Sequence, residues 1–316
     1  SKKLAVGLFL SSFFFLMQAQ AGIVEPIYKQ LKDPTTGGQP STVSMSITPD
    51  GKKMFVLSHT RNKYYIYDLT TPFDLSTMDV SNRSEVDFVG DDPPSASQIK
   101  DIEFNNDGTK VFVFGRNGTL HIHNLTTPYD VASISSSTAV PDDGLDYTTA
   151  YGTVSRIHGV TFNNDGTKMY LSDGTITSTD ITQVNLSTPF DPSSGTSTYN
   201  LNTESITARY TMDLAFDDDG TRLYLSESNV GVAINYMYVW KLSNPFELSS
   251  ATYVDKWQIL GNGNNLSPYA WTFGNNGMKL YIGTEDASTD GDNIIYEYDL
   301  SCPYGIVLCE SETSSV

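Results

Sequence analysis

The stretch Asn163-Asn164-Asp165-Gly166-Thr167-Lys168-Met169-Tyr170-Leu171, followed downstream by Leu186-Ser187-Thr188-Pro189-Phe190, decides the fold because it recurs. Its first half returns as Thr48-Pro49-Asp50-Gly51-Lys52-Lys53, Asn105-Asn106-Asp107-Gly108-Thr109-Lys110, Asp217-Asp218-Asp219-Gly220-Thr221-Arg222 and Gly274-Asn275-Asn276-Gly277-Met278-Lys279. Its second half returns as Leu69-Thr70-Thr71-Pro72-Phe73, Leu125-Thr126-Thr127-Pro128-Tyr129, Leu242-Ser243-Asn244-Pro245-Phe246 and Leu300-Ser301-Cys302-Pro303-Tyr304. Two markers in constant order, repeated at near-constant spacing, mean repeated supersecondary units.

Each unit reads as strands. Six and four residues ahead of the turn glycine stand Met45 and Ile47, Ile102 and Phe104, Val160 and Phe162, Leu214 and Phe216, and Trp271 and Phe273. Apolar residues at period two make an inner strand. The Asn/Asp-Gly pair supplies the positive φ of a hairpin. After it come the apolar runs Met54-Phe55-Val56, Val111-Phe112-Val113, Met169-Tyr170-Leu171, Leu223-Tyr224-Leu225 and Leu280-Tyr281-Ile282, which read as strands buried on both faces. A third strand runs into each Leu-x-x-Pro-aromatic marker, and a more polar fourth, such as Tyr253 to Leu260, follows it. Four antiparallel strands per unit predict an all-β chain, a β-propeller of about five four-stranded blades. The predicted repeats are 41–97, 98–154, 155–207, 208–265 and 266–304, with a tail at 305–316.

The last unit ends after its third strand, while residues 22–40 precede the first unit and carry Ile23, Val24, Ile27 and Tyr28. This segment is expected to supply the missing fourth strand and close the ring; the alternative is that Tyr304 to Cys309 turns back to fill the slot itself.

Residues 1–21 carry a basic head (Lys2, Lys3), an apolar run from Leu4 to Met17, and Ala19-Gln20-Ala21 as a small-x-small cleavage site. That is the pattern of a secretory signal peptide. The protein is therefore expected to be exported to the periplasm, cell surface or medium, with no membrane-spanning segment in the mature chain. In such a compartment Cys302 and Cys309, the only cysteines, are expected to pair. With 19 Lys+Arg against 37 Asp+Glu the chain carries −18, which repels phosphate backbones, so no nucleic-acid partner is expected.

The units resemble the blades of lactonase-like (YVTN-type) propellers, whose inner strand, Asp-Gly-Lys turn, Tyr-Val strand and Val-Ile-Asp-Leu strand follow the same order. The wording Asn-Asp-Gly-Thr-Lys-Met-Tyr and Leu-Ser-Thr-Pro-Phe-Asp is most similar to propeller repeats of secreted or surface, autotransporter-passenger-like proteins of marine bacteria. The resemblance implies the fold over 41–304; it rests on turn and core residues and implies little about activity.

Chemistry-bearing candidates are few, since the sequence holds no nucleophile elbow, zincin helix, Walker loop or dinucleotide fingerprint. His121 and His123 occupy slots filled elsewhere by tyrosines and are expected to be packed aromatics, and His59 is the remaining unplaced histidine. His158 lies on an inner strand, aligned with Lys100 and Tyr269, and Asp101 and Asp213 sit one position further on, so these five are the candidates for a site in the channel; plain strand packing is the competing reading. Asp286, Ser288, Asp290 and Asp292 with Glu297 match an oxygen-rich loop suited to Ca2+. Glu297 stands where other units have Ile66, Ile122 and Val239, and a carboxylate there calls for a cation or water. The expected function is a secreted or surface-displayed binding or structural module for an extracellular ligand, a glycan or another surface polymer, with exposed Tyr and Trp stacking on sugar rings. The alternative is a lactonase- or glycosidase-like hydrolase acting in the channel.

Overall fold

The computed structural model describes residues 26–32, 42–58, 63–87, 99–115, 120–140, 157–173, 180–207, 210–228, 234–261, 264–265, 268–284, 294–307 and 309. The leader at 1–21, His59 and the loop positions Asp286, Ser288, Asp290 and Asp292 lie outside these residues.

Five four-stranded antiparallel sheets stand around one axis. In order from the axis outward, blade 1 is Thr42–Ile47, Lys53–Ser58, Lys63–Asp68 and Ser84–Asp87; blade 2 is Ile99–Phe104, Lys110–Gly115, Leu120–Leu125 and Ile134–Val140. Blade 3 is Ile157–Phe162, Lys168–Asp173, Asp180–Leu186 and Gly195–Asn202; blade 4 is Tyr210–Phe216, Arg222–Ser228, Tyr236–Leu242 and Ala251–Gln258. Blade 5 takes Pro268–Gly274, Lys279–Thr284 and Ile295–Asp299 from its own repeat, and its outer strand is Ile27–Lys32 from the N-terminus. Ile27 pairs with Asp299 and Lys32 with Ile295, so the expected closure by the N-terminal strand holds. Inner strands of successive blades touch all the way round, including those of blades 5 and 1.

The hairpin turn uses its residues differently from the sequence expectation. In blades 1 to 4 the glycine alone takes a positive φ, +70° to +72°, while the preceding Asp works through its side chain. Asp50, Asp107, Asp165 and Asp219 each accept the backbone N–H two residues on, at 2.9–3.0 Å. The hydroxyls of Thr48, Thr109, Thr167 and Thr221 donate to the same carboxylates, and these bonds first, then the backbone ones, hold each carboxyl below its usual range, at Asp219 against burial. Only in blade 5, where no Asp is present, do Asn275 and Asn276 themselves turn to positive φ.

The glycine also makes room for the second marker. A Cβ on Gly51 would stand 2.4 Å from the Phe73 ring, and Gly108, Gly166, Gly220 and Gly277 meet Tyr129, Phe190, Phe246 and Tyr304 in the same way. Each aromatic takes a positive φ, 55° to 61°, and donates its N–H to the carbonyl of its own glycine at 2.8–2.9 Å. Both markers of the sequence are thus two halves of one contact.

The core lies between blades rather than within them. One buried cluster fills each junction: Phe55, Leu57 and Tyr64 against Val111 and Val113; Phe112 and Phe114 against Met169 and Leu171; Tyr170 and Ile181 against Leu223 and Leu225; Tyr224 and Met237 against Leu280 and Ile282; Tyr281 and Ile295 against Met54 and Val56. Each such side chain contributes roughly 1.5–3 kcal/mol by leaving water. Three junctions add a tyrosine clamp. Tyr170, Tyr224 and Tyr281 donate their hydroxyls to the carbonyls of Phe246, Tyr304 and Phe73 in the next blade, at 2.6, 2.8 and 2.7 Å. Phe55 and Phe112 occupy the same place at the other two junctions.

His121 and His123 are buried, their rings near-parallel at 6.4 Å between centroids, as expected of packed aromatics. Burial, then the neighbouring His121, pushes His123 down to about 4. Cys302 and Cys309 form the expected disulfide, with Cα atoms 5.8 Å apart. Among the described residues no helix is long and apolar enough to cross a membrane.

Two outcomes test the closure. Deleting residues 22–36 should lower the melting temperature by more than about 10 °C, because blade 5 then exposes an unpaired strand and loses its cover; an unchanged melt contradicts it. Tyr281→Phe should cost about 1–2 kcal/mol in denaturant unfolding by stranding the Phe73 carbonyl at the closing junction.

Candidate functional site

Inner strands converge on a central cavity of about 340 Å³ that opens between the hairpin turns. The residues seven positions ahead of each turn glycine are Ser44, Asp101, Gly159, Asp213 and Ala270, and of these Asp101 and Asp213 line the cavity. Asp101 is 4% exposed and fully engaged. One carboxylate oxygen accepts from Ser44 Oγ at 2.6 Å and from Ile102 N at 2.8 Å, and the other accepts from Val160 N of blade 3 at 2.7 Å. Asp213 repeats the pattern, accepting from Leu214 N at 2.8 Å and drawing stabilisation from the Trp271 N–H of blade 5. Ser44 Oγ likewise accepts from Ile102 N of blade 2 at 3.2 Å. At this level a short polar side chain ties its own blade to the backbone of the next.

Two residues nearer the mouth, the lumen-facing row is Ser46, Glu103, Thr161, Ala215 and Thr272. Glu103 is the one long and acidic member. Its Oε1 accepts from Thr161 Oγ1 at 3.1 Å, which leaves its second oxygen to the lumen. Beyond it the mouth is edged by Asn106, whose side chain donates to the Asn164 carbonyl, by Asn164, which donates to the Asp218 carbonyl at 2.6 Å, and by Tyr304, whose hydroxyl donates to the Asp218 carboxylate.

The carboxyls of this channel titrate high. Burial pushes Asp101 up to about 7, against the hydrogen bonds it accepts. Burial, then the charge of Asp101, pushes Glu103 up to about 8. Asp213 is raised well above its ordinary value by burial and then by Asp101 and Glu103. At the rim, burial lifts Asp217 to about 6. Glu103 and Asp213 keep part of their surface on the lumen, yet so little solvent reaches them that burial still dominates.

The structure therefore brings together Asp101 and Asp213 of the sequence candidates and adds Glu103, which sequence reasoning missed. The signal was present: five residues ahead of the glycine, one acid stands among four small residues. Lys100, His158 and Tyr269 lie outside the cavity lining. His158 sets Nδ1 3.2 Å from Met212 Sδ of blade 4, an inner-strand packing contact. Glu297 has its cation within the protein: it is 1% exposed, bonded to Lys279 Nζ, and accepts the Leu75 N–H of blade 1 at 2.8 Å. Gln183 does the same for Leu248 N of blade 4 at 2.9 Å, so this strand position caps the next blade. Among the described residues no group of three or more His, Cys, Asp or Glu is placed to hold a metal ion.

No protein-family model matches this chain, and no curated protein does. Among solved structures it is similar to a luciferin-regenerating enzyme, at 10% identity and TM-score 0.49, covering 90% of this chain and 98% of that one. It is similar to a putative 6-phosphogluconolactonase from Bacteroides fragilis, at 14% identity and TM-score 0.47, covering 86% of this chain and 69% of that one. A functionally unknown protein from Desulfotomaculum acetoxidans follows at 13% identity and TM-score 0.46, covering 86% and 90%. At these values the likenesses carry no argument about activity; the propeller rests on the strand order itself.

The raised carboxyls fix a pH dependence. An acid whose folded value lies above its unfolded value near 4 binds more protons in the folded state between the two, so stability falls as pH rises through that window. With folded values of about 7 and about 8 for Asp101 and Glu103, the melting temperature should fall from about pH 6.5 to about pH 8; below that window His123, lowered to about 4, opposes the fall. Glu103→Gln, which cannot ionise, should flatten the upper part of that slope. A melting temperature that rises or stays flat across the window refutes the assignment.

Proposed function

We propose that this chain is a binding module, a rigid disc that presents variable connections on one face. The observation that supports this reading is an asymmetry between the two ends of the strands. At the turn end every blade has the same Gly–aromatic contact, and blades 1 to 4 share one Asp-capped hairpin. At the other end the connections from second to third strand run over 59–62, 116–119, 174–179, 229–235 and 285–294, and those between blades over 88–98, 141–156, 203–209 and 259–267. Every second-to-third-strand and blade-to-blade connection lies at this end, and these differ in length from blade to blade. A scaffold held constant at one end and varied at the other is how binding surfaces are built.

The proposed ligand is an extracellular glycan or another surface polymer, in keeping with the export expected from the sequence of residues 1–21. Its stacking partners differ from those expected of the sequence, because Trp240, Trp257 and Trp271 are all buried. Tyr199, 39% exposed on the outer strand of blade 3, remains available. The cavity offers polar partners as well, since a protonated Glu103 beside Ser46, Thr161 and Thr272 donates and accepts hydrogen bonds as sugar hydroxyls require.

The hydrolase reading keeps one supporting observation, an acid held protonated near neutral pH in a cavity, which is what general-acid catalysis needs. Asp101 and Asp213, however, are committed to backbone N–H groups of neighbouring blades. A glycan array run beside a panel of lactone and glycoside substrates separates the two. Binding without turnover is expected, whereas turnover abolished by Glu103→Gln or His158→Ala reverses the assignment.

A further inference from the structure

In blades 1 to 4 the positive-φ aromatic is held from both sides. Its N–H is bound to the turn glycine, and the chain beyond it enters a one-turn 3-10 helix that leads into the fourth strand. Asp74, Asp130 and Asp191 cap three of these turns through the N–H groups of Ser76, Ala132 and Ser193. The first residue of each turn, Leu75, Val131, Pro192 or Leu248, plugs the junction with the preceding blade. Held this way, an L-residue at positive φ stays in a conformation that costs it free energy.

Among the described residues blade 5 has no such 3-10 turn. Its fourth strand comes from the N-terminus, and Gly305 stands where the other blades have an acid, which caps the turn in blades 1 to 3. Ile306, 1% exposed, nevertheless fills the plug position, and it and Val307 pack in one cluster with Trp257 and Tyr298. What stands beyond them is Cys309, bonded back to Cys302. The bridge lies directly over Gly305, where a Cβ would meet Cys302 Sγ at 2.4 Å and Cys309 Sγ at 3.1 Å. Both cysteines are half-exposed and so within reach of a thiol. Tyr304, at φ 59°, is a wall of the central cavity through its contact with Asp218.

We propose that the Cys302–Cys309 disulfide is a redox-sensitive latch at the junction of blades 4 and 5, and that its reduction releases residues 304–307 and opens the cavity mouth at Tyr304. The bridge does for blade 5 what the capped turn and fourth strand do for the others. A dithiol breaks the Sγ–Sγ bond, leaving two protein thiols that carry the dithiol's two protons while the dithiol closes to its cyclic disulfide. Tyr304 then loses the covalent hold on the chain beyond it, so its N–H bond to Gly277 opens more often.

The test is amide hydrogen exchange on the folded full chain, oxidised and after dithiol treatment with two thiols titrated, alongside the Cys302→Ser/Cys309→Ser double variant. Exchange at Tyr304 and Ile306 should speed up by about tenfold or more, with Phe73, Tyr129, Phe190 and Phe246 unchanged and protection restored on reoxidation. Carbodiimide-driven amine labelling of Glu103 should rise several-fold in the same reduced sample, roughly in step with that opening. Unchanged exchange at Tyr304 with both thiols free overturns the latch, as does equal loosening at all five turns, which would make the bridge a staple of the whole ring. Labelling of Glu103 that does not change overturns the gate. Treating protein already folded keeps the test decisive even where the double variant fails to fold.

Discussion

Every blade is organised by the seat that a turn glycine makes for an aromatic ring. The ring lies where a Cβ would be, the aromatic N–H binds the glycine carbonyl, and the two hairpins of the blade are fixed to each other at that point. Both partners need positive φ, which glycine adopts freely and a Phe or Tyr adopts only under constraint. Because the aromatic is held so firmly, its carbonyl is aimed outward as an acceptor, and the tyrosine of the preceding blade takes it at three junctions. One local contact thus sets blade geometry, blade spacing and ring closure together.

The core follows from that spacing. Strands buried on both faces cannot be covered by their own sheet, so each blade is covered by its neighbours, and the buried clusters form wedges between blades. Such an arrangement leaves the last wedge exposed until the ring closes. The N-terminal strand, the Tyr281 clamp, and Glu297 bonded to both Lys279 and Leu75 all act on that closing junction. Short polar residues at the axis do the same work from inside, and this explains why two of the channel's acids are structural while the third, Glu103, faces the lumen.

Strand order, blade number, the closing strand and the disulfide were legible in the sequence. These follow from local rules: period-two apolar patterning, turn residues at fixed offsets, a missing fourth strand at one end and a spare one at the other, and two cysteines close in sequence. Repetition made the signal strong, because each of five copies tests the same reading. The site was legible only in part. Asp101 and Asp213 stood out as acids on inner strands, but their commitment to N–H groups of the next blade depends on inter-blade register, which no single repeat encodes.

Glu297 marks the boundary most sharply. Its sequence position called for a cation, and that much a carboxylate on a buried strand determines by itself, since an uncompensated charge is costly to bury. Which cation sits against it was decided by the fold: the neighbouring strand brings Lys279 alongside, and ring closure brings the Leu75 N–H across from a residue far away in the chain. The sequence determined local conformation and the need for partners, because both are set within a few residues. Tertiary structure decided which partners meet, because burial, register and closure exist only once all five blades stand together.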